Sequence, residues 1–169
     1  MKQIALINKE NVSPEEAEKF SVREASRAIV FDDNKMVALL HATNYGYHKL
    51  PGGGIEKGED PETAMKRECV EEIGCTVKVI SELGKILEYR KKYNLRQTSY
   101  CYIAEVVGKK GAPNLMEDEM EEGFQTIWMP LKEAYEMVRN SDTNGIYEAQ
   151  YMVARDTAFL QAAVDSMLL

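Results

Sequence analysis

The chain has no long apolar run, few cysteines and a deficit of positive charge, and each shortage removes a class of function. No stretch approaches the roughly 18 consecutive apolar residues that a membrane-spanning helix needs. The apolar patch Ile4-Ala5-Leu6-Ile7 is too short for the core of a secretory signal, and no small-residue cleavage pattern follows it. The expected location is therefore the cytoplasm. Cysteine occurs three times, at Cys69, Cys75 and Cys101. That odd count and spacing match neither a disulfide framework nor a zinc pattern, so all three read as reduced and mostly buried. The 21 basic residues are outnumbered by 28 acidic ones, for a net charge of −7. An acidic surface repels the phosphate backbone of nucleic acids, so no nucleic-acid partner is expected. A phosphorylated small molecule can still bind where metal ions neutralise the local charge.

What is present suits a globular protein. The 169 residues, 44% of them hydrophobic, are enough for one domain over 1–169 with a core that needs no staple. No repeat or low-complexity linker divides them. Residues 1–21 read as a strand or arm preceding the main body. Ala25 to Phe31 and Met36 to His41 alternate as a strand pair around the turn Asp32-Asp33-Asn34. Asp60-Pro61 predicts a helix start, with Asp as N-cap and Pro at the first helical position. The helix should run from Pro61 to about Ile73 and stop at Gly74, with Met65, Cys69 and Ile73 as its core stripe. Val77 to Tyr89 and Leu95 to Val107 predict a hairpin around the polar segment Arg90 to Asn94. Lys109 to Gly123 reads as a polar loop with an acidic cluster, Phe124 to Met129 as a short strand, and Leu131 to Arg139 and Tyr147 to Met167 as helices. Helices mixed with antiparallel strands make the class α+β.

The segment Gly53 to Cys75, GGIEKGEDPETAMKRECVEEIGC, carries the chemistry. On a helix Glu68 and Glu72 lie one turn apart on one side, with Glu71 beside them. Three like charges this close repel one another unless a cation sits among them. Hard divalent ions such as Mg²⁺ or Mn²⁺ prefer carboxylate oxygens. Arg67 can orient a neighbouring carboxylate by a bidentate pair, and Glu59 is placed to receive it. Gly52, Gly53 and Gly54 permit sharp turns and let a phosphate approach the backbone near a helix N-terminus.

This segment resembles the box of the Nudix (MutT-like) hydrolase family. That pattern is Gly, five residues, Glu, seven residues, Arg-Glu, an aliphatic, any residue, Glu-Glu, any residue, Gly and an aliphatic. Gly53, Glu59, Arg67, Glu68, Glu71, Glu72 and Gly74 fill every fixed position. The two departures are Cys69 and Cys75 at the aliphatic positions, where cysteine packs as a small hydrophobe. The resemblance implies a Nudix fold, a mixed β-sheet sandwiched between α-helices, with the box as loop–helix–loop. It implies Mg²⁺- (or Mn²⁺-) dependent cleavage of a phosphoanhydride bond in a nucleoside diphosphate linked to another group. It assigns Glu68, Glu71, Glu72 and the Gly52 carbonyl to the metal, and Gly53, Glu59, Arg67 and Gly74 to support of the site.

Family members often add an acidic residue from a later loop, as ligand or general base. Glu122, then Glu121, then Glu119 are the candidates to join Glu72 in catalysis, and Glu117 and Asp118 stand beside them. Tyr47 and His48, just before the box, fall where the family often places aromatic substrate contacts, with Tyr45 nearby. Arg27 on the first core strand and Tyr93, 18 residues past Cys75, are further substrate candidates. Arg90, Lys91, Lys92 and Arg96 could hold a terminal phosphate, but read first as a solvated hairpin. His41 reads as structural, and Trp128 as core or pocket wall. The partner expected is a small nucleotide or nucleoside diphosphate derivative. The N-terminal arm and the C-terminal helix could also support a homodimer. Two other classes share the fold: a nucleotide sensor without catalysis, and a prenyl diphosphate isomerase. Sensors usually lose box carboxylates, and this chain keeps them all. The isomerase needs a dedicated cysteine, whereas Cys101 reads as core.

Overall fold

Two strands with long buried runs organise the molecule. In the computed structural model, which describes residues 1–167, strand β2 (Ser21–Phe31) is buried continuously from Ala25 onward, and β3 (Met36–Ala42) is nearly so. A strand buried on both faces belongs in the middle layer of a three-layer fold. Side chains alternate between faces. Ala28, Val30, Ala38 and Leu40 therefore join one core with Met65, Cys69 and Ile73 of helix α2 (Pro61–Ile73). Ile29, Phe31, Val37 and Leu39 join the other, against Ala134 and Val138 of α4 (Leu131–Arg139) and Phe159, Leu160 and Ala163 of α5 (Tyr147–Met167). The result is a mixed sheet between helices, the architecture that the box implies.

The sheet has seven strands among the described residues. Its order is β1 (Gln3–Ile7), β5 (Val77–Arg90), β6 (Leu95–Val106), β2, β3 and β4 (Tyr47–Lys49), with β7 (Phe124–Pro130) on the other side of β3. The pairs β1–β5 and β2–β6 are parallel and the rest antiparallel. The sheet is thus mixed, as the resemblance implies. The segment 1–21 also proves to be more than an arm: β1 is an edge strand of the sheet, followed by the short helix α1 (Pro14–Ala17). The polar stretch 109–123 is not all loop, because Glu117–Glu122 form helix α3, closed by Gly123 in the left-handed region. Acidic residues in its first turn suit the positive end of a helix. The β1 strand and α5 helix are both taken up within the chain's own sheet and core. All three cysteines are buried and unpaired. No described helix is long and apolar enough to cross a membrane.

One irregularity builds the site. β2 and β3 pair only at their turn, Phe31 with Val37, and then diverge. The opened edge of β2 is taken by the loop after β4: Ser26 N–H donates to the Gly53 carbonyl at 2.9 Å, Ala28 N–H to Pro51 at 3.1 Å, and Ile55 N–H to Glu24 at 3.1 Å. The glycine loop thus runs as a surrogate strand between β2 and α2.

Helix α2 follows its sequence signals. Asp60 accepts from Thr63 N–H at 2.8 Å as N-cap, and Gly74 ends the helix at φ 64°. Met65 is fully buried, while the adjacent Lys66 reaches across the surface to Glu62. Met65→Ala should therefore cost roughly 2–5 kcal/mol in urea denaturation, the usual range for emptying a core site. Lys66→Ala should cost no more than about 0.5 kcal/mol. Similar losses at both positions would show that this helix is not seated as described.

Candidate functional site

The surrogate strand is wedged closely between β2 on one side and Glu68 of α2 on the other. A Cβ on Gly52, whose φ is +135°, would lie 2.1 Å from the Ser26 carbonyl, and one on Gly53 would lie 2.2 Å from Glu68 Oε1. That closeness lets backbone reach carboxylate: Gly52 N–H donates to Glu72 Oε2 at 2.5 Å. The other oxygen of Glu72 is paired with Lys49 Nζ at 2.9 Å. Glu72 is 1% exposed, and burial lifts its carboxyl above the usual range against the pull of Lys49. Glu68 is raised as well, first by burial and then by the charge of Glu72, with Arg67 opposing.

Arg67 holds the other side of the helix together. Its Nε and Nη2 grip Glu59 at 2.9 and 3.0 Å, Nη2 also reaches the Gly54 carbonyl at 3.0 Å, and Nη1 binds Glu68 at 2.9 Å and Glu71 at 3.0 Å. These five contacts engage all five N–H groups of a guanidinium. The hydrogen bonds to Glu59 come first in holding the arginine firmly charged. Arg67 thereby links Glu59 and the Gly54 carbonyl to the helix.

Beyond the box, α3 brings a third carboxylate. Oxygens of Glu68, Glu72 and Glu119 lie within 4.8 Å of one another, a group able to hold a metal ion. Glu119 had ranked behind Glu122 and Glu121 on sequence. Its other contact, accepting from Met116 N–H at 2.7 Å, fixes it across the start of α3. Glu71 is absent from this convergence and pairs with Arg67 instead. Gly52 lines the same cleft. Glu122 also lines it and takes the Tyr47 hydroxyl as donor. Glu121 is exposed, and its carbonyl accepts from Asn44 Nδ2 at 2.7 Å.

The substrate candidates separate. Arg27 is buried on the cleft wall, its Nη1 donating to the carbonyls of Ser26 at 2.7 Å and Gly53 at 3.0 Å. Tyr47 lies behind Glu122, in a neighbouring concavity with Tyr45 and Met152. His48 faces elsewhere. It stacks on His41 at 4.3 Å, contacts Ser141 Oγ through Nδ1 at 2.9 Å, and lines a different cavity with Glu133 and Met137. Tyr93 bonds Glu148 and packs edge-on against Tyr147, outside the carboxylate cleft. Trp128 packs against the α2-side core beneath Lys110 Nζ, which stands 3.4 Å from the ring centroid.

Sequence reasoning missed the basic half of the cleft. The cleft encloses about 380 Å³ and is also lined by Arg23, Lys49, Arg90 and Arg155. Arg90, read first as part of a solvated hairpin, is the buried last residue of β5, paired with Glu88 at 2.8 Å. Arg155 carried a signal that could have found it. It lies at i+4 from Tyr151 and i−4 from Phe159, so the buried stripe of α5 contains a charge.

The NUDIX domain family matches residues 22–149, and the chain belongs to that family. It is 28% identical over 137 residues to a CMP-5'-(N-acetyl-N-hydroxy-3-aminopropyl)phosphonate hydrolase of Streptomyces rubellomurinus, covering 76% of this chain and 63% of that protein. It is 40% identical over 62 residues to an RNA pyrophosphohydrolase of Proteus mirabilis, covering 34% of this chain and 35% of that one. The chain thus spans less than two thirds of the length of each. The fold is similar to that of the E. coli ORF135 protein, with a TM-score of 0.61 at 18% identity over 88% of this chain and 92% of that one.

His48 yields a prediction on stability. Burial, with the charge of His41 second, pushes its pKa down to about 4 from 6.5. A depressed pKa means that the unfolded chain binds the proton more readily. The contribution of the neutral ring is thus fully present above pH 6.5 and is lost as pH falls toward 4. His48→Gln should flatten the fall in urea midpoint between pH 6.5 and 4 relative to wild type. A parallel fall in both proteins would show that the ring carries no such linkage.

Proposed function

We propose that the protein is a Mg²⁺- (or Mn²⁺-) dependent hydrolase that cleaves a phosphoanhydride bond in a nucleoside diphosphate-linked small molecule. The observation that carries this reading is the convergence of Glu68, Glu72 and Glu119 within 4.8 Å at the wall of a cleft that also holds buried cations. An all-oxygen donor set suits a hard divalent ion, and buried like charges favour one. Glu68, Glu72 and Glu119 would hold it, with Glu71 and the Gly52 carbonyl as further donors. A divalent ion bound there polarises phosphoryl oxygens and acidifies water.

The chain's own groups do the rest. Lys49 and the Gly52 amide hold Glu72 in one orientation. Arg67 locks Glu68 and Glu71 to the helix surface. Arg27 presents charge to phosphoryl oxygens while its Nη1 is anchored on the glycine loop. Glu122, steadied by the Tyr47 hydroxyl, is the general base that takes the proton of the attacking water. The phosphonate hydrolase supports a nucleoside monophosphate joined to a second phosphorus group as the substrate type. The matches to RNA pyrophosphohydrolases cover about a third of the chain and weigh less.

Glu72→Gln should abolish turnover across a panel of nucleotides assayed with Mg²⁺ while the protein stays folded by circular dichroism. Glu119→Gln should raise the Mg²⁺ concentration needed for half-maximal rate. Glu122→Gln should lower kcat by about 10²- to 10⁴-fold, the usual weight of a general base, at an unchanged Mg²⁺ requirement. Wild-type turnover by folded Glu72→Gln would remove the metal site from this helix. Absence of product from every diphosphate in the wild-type protein would favour a sensing role.

A further inference from the structure

The cleft is lined by as many carboxylates as cations, yet several of its arginine N–H groups are left without a partner among the described residues. Four arginines line it, Arg23 and Arg27 from β2, Arg90 from β5 and Arg155 from α5. The carboxylates that pair with this group are Glu88 and Asp156, both already committed. Glu88 binds Arg90 at 2.8 Å, Gln97 at 2.7 Å and Ser99 at 3.2 Å, leaving Arg155 Nη1 at 3.9 Å. Asp156 takes Arg155 Nε at 2.7 Å and the Leu50 amide at 2.9 Å.

What remains is a set of buried donors without acceptors. Arg155 is fully buried, yet among the described residues its Nη1 and Nη2 have no hydrogen-bond partner, nor have Arg90 Nε and Arg27 Nε. A buried guanidinium in a purely structural role is normally saturated, because unpaired charged donors away from water are costly. Arg90 is further set in place by the Tyr151 ring, 5.3 Å from its Cζ. The unfilled Nη1–Nη2 fork of Arg155, beside the unpaired Nε of Arg90, is suited to a tetrahedral oxyanion.

We infer that Arg155, Arg90 and Arg23 form an anion subsite that takes the terminal phosphoryl group of a free nucleoside polyphosphate, beside the carboxylates that hold the metal. The anion subsite follows from the arginines alone, while its role as a substrate determinant rests on the hydrolase reading above. A free nucleotide is specified because the net charge of −7 opposes a polynucleotide backbone. A neutral sugar in that position would leave the same donors empty.

The test separates binding from turnover. Inorganic pyrophosphate is titrated calorimetrically into the full chain in EDTA, with sulfate at matched ionic strength as control. Saturable binding is expected for pyrophosphate. Its affinity should fall at least tenfold in Arg155→Gln and Arg90→Gln, and stay unchanged in Lys57→Gln on the exposed loop. If either buried variant fails to fold, Arg23→Gln, on an exposed position, should still weaken binding at least threefold. Unaltered binding in folded variants overturns the subsite. In steady state, Arg155→Lys should raise KM for a nucleoside triphosphate at least tenfold and change kcat/KM for a nucleotide sugar less than threefold. Equal losses on both substrates, or a higher kcat/KM for a 5′-triphosphorylated oligonucleotide than for the free nucleotide, overturn the assigned ligand. Intact pyrophosphate binding with no turnover of any diphosphate overturns the hydrolase reading and leaves the subsite standing.

Discussion

The hydrogen bond from the Gly52 amide to the Glu72 carboxylate is the contact on which the rest of the site depends. It can form only because β2 and β3 part after their turn and a glycine loop fills the opened edge. It joins the sheet to α2 through a carboxylate that would otherwise be buried with too little compensation. Lys49 completes that compensation from β4. The same closeness brings Gly53 against Glu68, so the two box carboxylates that turn inward are held between the glycine backbone and the side chains of Lys49 and Arg67. Arg67 then ties the outward side to Glu59, closing the loop–helix unit on itself.

The loop–helix unit was legible in the sequence because its signals are local. Asp60-Pro61 starts the helix, Gly74 stops it, and the stripe Met65, Cys69, Ile73 sets its rotation, which in turn decides where Glu68 and Glu72 point. The hairpin strands, β7 and α4 were legible for the same reason. Parallel pairing was not, since β1 meets β5 and β2 meets β6 across long separations that no turn signal records. The acidic stretch before Gly123 read as loop because its helix has no apolar stripe to reveal it. None of its residues is buried. The order Glu122, Glu121, Glu119 followed proximity to the Glu-Gly pair, whereas helical geometry brings Glu119 to the carboxylates and leaves Glu121 outside.

The arginines show a different kind of illegibility. In a sequence, Arg90 next to Lys91 and Lys92 reads as surface, and only the long reach of β5 carries it inward. Arg155 sat in plain view on the buried stripe of α5, but a charged residue there becomes meaningful only when its neighbours Glu88 and Asp156 are known to be occupied. Long-range assembly gathers basic residues from three separate elements into an interior where some of their N–H groups stay unpaired.

The two walls of the cleft are built to different standards. One is framework, a strand buried from Ala25 onward, a surrogate strand and a helix seated in the core. The other, α3, hangs from Thr43 and Asn44, which hold the chain at Glu121, Glu122 and Gly123 by backbone and side-chain hydrogen bonds of 2.7 to 3.3 Å. The first wall is seated on buried core residues such as Met65 and Cys69, while no residue of α3 is buried. A lineage built on this plan can vary the rest of its second wall while keeping Glu119 and Glu122 in place, so most of that wall can change without disturbing the core.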